Sequence, residues 1–518
     1  MNSRVPISIA VVVVLSGCFK SVDEHKETAG EVVSRASEGQ APIALPPPVD
    51  RDLPALVKRD TLTALITYNS TTYFLYKGEP LGFEYELLKS FALEHNLVLR
   101  TKVVLSIDSM FVMLNRGDGD VVAARLIPQA SDSGRVAYTN ALYLSSPSLV
   151  QQKGAQDLAI ARQPLPADTA LKRNPSDSAA PRLTVQAKLV ERPEQLAHRK
   201  VTLPSRSPYR ETLLELADSI GDIDVVEMAP ASTETLIRDV AKGTVQFTIA
   251  DSNIAKLQEG SFTNITISPV LGKPRMVAWA VRRNSPLLKA ELDAWIASPK
   301  TQGRSHALFS KYFIDARSYA ERASSRYLTS VTGTLSEFDG LFKYYAPKIG
   351  WDWRLLASQA YQESRFKATA KSWVGAVGLM QVMPATGRQY GVTQLTDPEE
   401  NLRGAVKFLD WLQKYWSKQV RDPGERIKFI LASYNSGLGH VEDAQRLSLA
   451  NGNSDMYWND VAYWMLQLSK REFYTNPVVK YGYVRGLEPV TYVSIIMDRY
   501  EHYRQFVVDS ATVGDGER

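Results

Sequence analysis

One cysteine stands in 518 residues, so no disulfide can form within the chain. The six histidines lack metal-ligand spacing and form no zinc-type motif with that cysteine, so no metal and no cofactor is expected. Apolar runs are short, and none reaches the ~20 residues needed to span a bilayer. A large excess of one charge is missing too. Lys and Arg number 61 against 56 Asp and Glu, a net +5 with no long basic run. That excludes the electrostatic footprint of a nucleic-acid binder. One local absence is sharper. Residues 364–396 contain no Asp or Glu, and Glu363 is the last acid before the gap.

What is present suits a soluble multidomain protein: 44% hydrophobic, 23% charged, and too long for one ordinary domain. Met1-Asn2-Ser3-Arg4 is a short positive start, residues 7–15 are apolar, and Leu15-Ser16-Gly17-Cys18 follows. That layout is an export signal rather than a spanning helix. Its end resembles a bacterial lipobox. The resemblance implies that residues 1–18 end in a lipidated Cys18, with more than one acyl chain for stable membrane anchoring. Phe19 stands where an Asp would signal inner-membrane retention, which implies the periplasmic face of the outer membrane of a Gram-negative bacterium. Residues 19–60 are polar, with Pro46-Pro47-Pro48 near their end, and read as a flexible tether.

Residues 61–316 read as a bilobed α/β domain. Strand patterns at 62–66 and 97–105 flank a helical spacing of Leu87, Leu88, Phe91 and Ala92. A helix ending in Arg116-Gly117-Asp118-Gly119 then leads into the apolar strand Val121-Val122-Ala123-Ala124. Helix 236–242, Gly243 and strand 245–250 repeat that unit, so two related lobes are expected. Gly82-Phe83-Glu84-Tyr85-Glu86-Leu87-Leu88, Gly119-Asp120-Val121-Val122 and Lys311-Tyr312-Phe313 resemble the periplasmic solute-binding domains of amino-acid transporters. In that family an Arg after the Asp-Val-Val strand grips the ligand carboxylate. Counting along, Asp132 holds that position here, with Arg125 and Arg135 out of register. A ligand with an amine or a neutral sugar is therefore expected, such as a muropeptide or stem peptide. Residues 154–182, rich in Ala, Pro, Asp and Ser, read as a disordered insertion, and 317–333 as a short linker.

Residues 334–507 read as mainly α, with 508–518 as a tail. Phe338, Leu341, Phe342 and Tyr345 have amphipathic spacing, and Asp352 caps a helix ending near Glu363. Further helices are expected at 405–416, 427–434 and 491–506. Five segments follow in order: Gln362-Glu363-Ser364-Arg365-Phe366, Gly375-Ala376-Val377-Gly378-Leu379-Met380-Gln381, Met383-Pro384-Ala385-Thr386, Ala432-Ser433-Tyr434-Asn435-Ser436-Gly437 and Glu488-Pro489-Val490-Thr491-Tyr492-Val493. Together they resemble the soluble lytic transglycosylase family, which has a goose-type-lysozyme-like fold.

Sugar cleavage needs a proton on the leaving oxygen. A Glu supplies it near neutral pH only when burial raises its pKa, and Phe366, Leu379 and Met380 are apolar neighbours able to do so. A two-carboxylate glycosidase needs a second acid. The resemblance implies none: the substrate's N-acetyl group assists, and Glu363 then takes a proton from the muramic acid 6-hydroxyl. That oxygen closes a 1,6-anhydro ring without water, helped by its high effective concentration. Ser364, Met380, Gln381, Tyr434, Asn435 and Tyr492 are implied as substrate-binding residues, and Tyr483 competes with Tyr492 for the place beside the acid. Gly375 and Gly378 let the backbone approach the sugar. Trp373 either stacks on a sugar or is buried. The expectation is a lytic transglycosylase acting on peptidoglycan glycan strands. The alternatives are a hydrolytic muramidase, or a receptor whose lysozyme-like domain only binds glycan.

Overall fold

A computed structural model describes residues 44–104, 106–132, 134–153, 189–205, 207–228 and 231–507. Cys18, the insertion at 154–182 and the tail at 508–518 lie outside them.

The first lobe is built on a sheet in the order Val98–Val103, Thr61–Ile66, Val121–Leu126, Arg275–Val281, Ala137–Tyr138, with Tyr143–Ser145 also pairing with Arg275–Val281. The first three strands run parallel, and Ile66 pairs with both Val103 and Ala123. Arg275–Val281 returns antiparallel. Parallel strands need crossover helices, and Phe83–Glu94 and Ile107–Arg116 supply them. The second lobe centres on Pro147–Gln152, flanked antiparallel by Phe247–Asp251 and Ile265–Val270, with a parallel pair Lys200–Pro204 and Asp224–Met228. The repeated unit is present in both lobes. Helices Ile107–Arg116 and Thr233–Lys242 each end on a left-handed glycine, Gly117 and Gly243, before a buried strand.

Two segments differ from the sequence expectation. Residues 44–60, read as the end of a flexible tether, are folded onto the first lobe. Asp52 caps its own helix, Leu53–Lys58, and accepts from the backbone N–H groups of Leu287 (2.9 Å) and Leu288 (2.7 Å) at the start of Pro286–Ala297. The buried Arg282 donates to the Arg51 carbonyl at 3.2 Å. Polar composition masked these partners, because their mates lie more than 200 residues away. Residues 317–333, read as a linker, include the helix Ala316–Ser324, with Tyr319 buried. Arg322 lies over the rings of Phe74 (5.8 Å) and Tyr312 (5.5 Å), and Leu328 bridges to Tyr76.

The C-terminal domain is helical. Helix Trp353–Ser364 starts on Asp352, whose side chain accepts from the Arg354 N–H at 2.9 Å, and it is buried on most faces. Pro398–Trp416 and Pro423–Ser436 share its core and Leu487–Phe506 packs along it, each longer at its N-terminus than the apolar periodicity suggested. The first two begin at Asp-Pro pairs, in which Asp caps and Pro takes the first helical position. Leu487–Phe506 touches both domains. Ser358 donates to the Ile496 carbonyl at 2.7 Å, while Tyr503 donates to the Gly78 carbonyl at 2.6 Å and Gln505 to that of Thr101 at 2.9 Å.

Candidate active site

Glu363 occupies the last turn of Trp353–Ser364. The chain then leaves the helix through two consecutive left-handed residues, Arg365 (φ 52°) and Phe366 (φ 60°). Non-glycine residues in that region are strained and cluster at functional sites. The bend brings Phe366 against Tyr361 (5.3 Å) and Phe342 (5.9 Å).

Burial pushes the Glu363 carboxyl up to about 7, and a hydrogen bond from the Tyr492 hydroxyl opposes that rise. The side chain stays half-buried, so the shift comes from protein packed around the carboxyl rather than from complete exclusion of water. Tyr492 is itself buried. Gln359, one turn before Glu363 on the same helix, donates to the Tyr492 oxygen at 3.2 Å. A phenol has a single proton, and Tyr492 directs it at Glu363, so Gln359 must present its N–H to the phenol oxygen. Acid, phenol and amide therefore form one chain. Tyr483, the competing tyrosine, is 54% exposed and packs edge-on against Tyr474 instead.

The loop opposite the acid is held by backbone bonds. Gly378 (φ 90°) is forced to be glycine, because a Cβ there would sit 2.2 Å from the Leu395 oxygen and 2.3 Å from Asn401 Nδ2. The buried Asn401 accepts from the Met380 N–H at 2.8 Å and donates to the carbonyls of Val377 (2.9 Å) and Leu395 (2.8 Å). Ser364 donates to the Leu379 carbonyl at 2.7 Å, and Tyr434 to that of Met380 at 2.8 Å. Gln381 donates to Gly378 (2.9 Å) and Ala370 (3.1 Å).

Six residues were expected to bind substrate. Tyr492 lies on the acid, Tyr434 is half-buried beside it, Asn435 is exposed, and Gln381 is half-buried in the loop. Ser364 and Met380 are buried, and the contacts they make hold the loop to the helix rather than face solvent. Trp373 is 97% exposed, which excludes its buried reading. Gln359 and Asn401 were not anticipated. The available signal was a polar residue on an otherwise apolar helix face, as in Asn401-Leu402 with Ala405 and Leu409.

The interlobe cleft also differs from expectation. Asp132 does not line it: its carboxylate accepts from the Tyr138 hydroxyl and pairs with Arg135 at 3.7 Å. The cleft cation is Arg125. Its backbone N–H donates to Glu84 at 3.0 Å, and its guanidinium reaches Glu234 and Asp251 of the second lobe, each at 4.0 Å. Burial works against the Arg125 charge, but Glu234 and Asp251 outweigh it and hold the residue protonated. Burial lifts Glu84 to about 7.

Comparison with known proteins agrees with both halves. Residues 63–315 match the bacterial extracellular solute-binding proteins, family 3, and residues 340–456 match the transglycosylase SLT domain. Fold and site together define a lytic transglycosylase joined to a solute-binding body. A membrane-bound lytic murein transglycosylase F from Desulfosudis oleivorans is 30% identical over 445 residues, covering 86% of this chain and 90% of the relative. One from Alteromonas mediterranea is 30% identical, covering 88% and 92%. An amino acid ABC transporter substrate-binding protein from Streptococcus pneumoniae, crystallised with L-arginine, covers 51% of this chain and 99% of its own at 18% identity and a TM-score of 0.39. The chain belongs to the membrane-bound lytic murein transglycosylase F family of peptidoglycan-cleaving enzymes.

Proposed function

We propose that Glu363 performs both proton transfers of a non-hydrolytic cleavage of the MurNAc-GlcNAc β-1,4 bond. The observation that carries this is the Glu363 carboxyl, raised to about 7 by burial against the opposing hydrogen bond from the Tyr492 hydroxyl. An acid with that pKa is half protonated near neutrality and serves in either role. In the first step Glu363 gives its proton to the glycosidic oxygen as the bond to the anomeric carbon breaks. The resulting carboxylate is stabilised where it forms, because Tyr492 already donates to it. In the second, Glu363 takes the proton of the MurNAc 6-hydroxyl as that oxygen bonds to the anomeric carbon, and the acid is regenerated. Asn435 and the loop around Gln381 hold the sugar.

A hydrolytic muramidase with two carboxylates would place a second acid about 5–9.5 Å away. Such a group would raise the Glu363 pKa by repulsion; among the described residues, burial accounts for the rise and the Tyr492 hydrogen bond opposes it. Glu363→Gln tests the assignment: sacculi should still bind while cleavage is lost, and near-normal turnover by the folded variant would remove Glu363 from the mechanism.

The protein works as a membrane-associated periplasmic enzyme. Among the described residues no helix is long and apolar enough to cross a membrane. Lipid at Cys18 supplies the anchor, at the periplasmic face of the outer membrane. The solute-binding domain takes a muropeptide or stem peptide. Arg125 beside Glu234, Asp251 and Glu84 offers both signs of charge, which suits a peptide bearing an amine and carboxylates. Calorimetry with muropeptides and with free amino acids tests this, and tight binding of amino acids with muropeptides silent would reject it.

A further inference from the structure

Helix Pro398–Trp416 has two apolar rows. Leu402, Ala405, Leu409, Leu412 and Trp416 fill the core. Phe408, Trp411 and Tyr415, at i, i+3 and i+7, form the second row. This row is not core: Trp411 is 45% exposed and its neighbours are half-buried. Phe408 and Trp411 lie 6.0 Å apart at 17°, Trp411 and Tyr415 6.2 Å apart at 30°. Those separations exceed the roughly 3.5–4.0 Å of face-to-face carbon contact. The rings are therefore offset rather than stacked face to face, and Trp411 is the most open of them, since Phe408 also packs against Tyr390 at 6.0 Å.

The row starts at the active site. Phe408 lies 5.4 Å from Tyr434. The Tyr434 hydroxyl bonds the Met380 carbonyl, and burial together with the Glu363 carboxyl raises its pKa. From the acid outward, the sequence of rings is Tyr434, Phe408, Trp411, Tyr415. At the far end Glu442 fixes the Tyr415 hydroxyl.

We propose that Phe408, Trp411 and Tyr415 form a stacking track for the glycan strand, beyond the sugars that flank the cleaved bond. This rests on the reading of Glu363 as a glycan-cleaving acid. A pyranose ring has an apolar C–H face and a rim of hydroxyls, so it stacks on an open aromatic face and keeps its rim wet. Lys407, Asp410 and Lys414 alternate with the three rings along the chain. Lys407 donates to the Tyr390 carbonyl at 3.2 Å and Lys414 pairs with Asp410 at 2.6 Å, so the row is bordered by polar groups that sugar hydroxyls can join. Size argues against a protein partner. Each aromatic buries at most ~150–250 Å², and these three are already half covered. A stable protein interface takes about 800 Å² from each side. A narrow row continuous with Tyr434, beside the acid, suits a linear polymer. The consequence is a preference for long strands over short fragments.

The test compares Trp411→Ala with the unaltered enzyme on long glycan strands and on a short oligosaccharide. The ratio of kcat/KM on long strands to kcat/KM on short ones should fall roughly five- to tenfold, the loss of one aromatic anchor. Trp411→Phe should restore most of it. An unchanged ratio, or equal loss on both lengths, overturns the track. A second measurement does not need catalysis: E363Q and E363Q/W411A are pelleted with sacculi. Weaker pelleting of the double variant supports the track, and equal pelleting overturns it even if Glu363 were misassigned. Concentration-dependent self-association that W411A abolishes, with both glycan readouts unmoved, also overturns it.

Discussion

Glu363→Gln removes the ionisable proton and keeps the side chain's shape, so it isolates the cost of burying a charge. The wild-type carboxyl titrates at about 7 in the fold against an ordinary 4.5, because of burial. The folded state therefore holds its proton more tightly than the unfolded chain does. The stability linked to that proton is fully present below about 4.5 and is lost as pH rises through about 7. At ~1.4 kcal/mol per pH unit the whole difference is about 3–4 kcal/mol. The Glu363 residue as a whole is only half-buried, and screening reduces the expected effect to about 1–2 kcal/mol. For a domain of this size that is a shift of about 3–6 °C in Tm. The Gln side chain pays no such penalty and still accepts from Tyr492. Thermal unfolding of both proteins at pH 4 and pH 8 reads the effect. The Gln variant should gain on the wild type between the two pH values by that amount, while its cleavage falls by at least about 10²–10⁴-fold. A gap in Tm that does not change with pH would refute the claim that Glu363 is a buried, raised acid.

Three further outcomes follow from particular contacts and a fourth from the lipobox. Gln359→Met should move the basic limb of the pH–rate profile upward, because a less polarised Tyr492 hydroxyl stabilises the Glu363 carboxylate less. The effect should vanish in a Tyr492→Phe background, and additive losses would mean that Gln359 does not act through Tyr492. Gly378→Ala should cost at least about 2 kcal/mol by thermal unfolding, from positive φ and the clash with Leu395 and Asn401. Arg125→Ala leaves Glu234 and Asp251 without their cation and should destabilise the solute-binding domain by about 3 kcal/mol, with a larger radius of gyration if the lobes part. Cys18→Ala should move the protein out of the outer-membrane fraction, and unchanged fractionation would reject lipid anchoring there.

Much of the site was legible because its parts are local. Glu363 ends a helix, Gly378 sits in a tight loop, and Tyr434 and Tyr492 lie in short segments in recognisable order. The bilobed fold was legible from a helix, glycine and buried strand occurring twice. What escaped depends on distant partners. Gln359 reads as an ordinary helix residue until Tyr492, more than 100 residues on, comes beside it. Arg51 and Asp52 look like tether until Arg282 and the helix at Pro286–Ala297 meet them. Counting from Asp120 placed Asp132 where a ligand-binding Arg belongs, on the assumption that the loop follows its relatives. Here Arg125 takes a left-handed conformation (φ 51°) at the strand's end and reaches the opposite lobe itself. The choice between Tyr492 and Tyr483 likewise needed the crossing of Trp353–Ser364 and Leu487–Phe506.

The central claim is that one acid closes the sugar on itself without water. Digestion of purified sacculi in oxygen-18-labelled water, read by mass spectrometry, tests it most directly. The new ends should be 1,6-anhydro sugars, one water lighter than hydrolysed ends and free of label. Reducing ends that carry the label would contradict the account and make the enzyme a hydrolase.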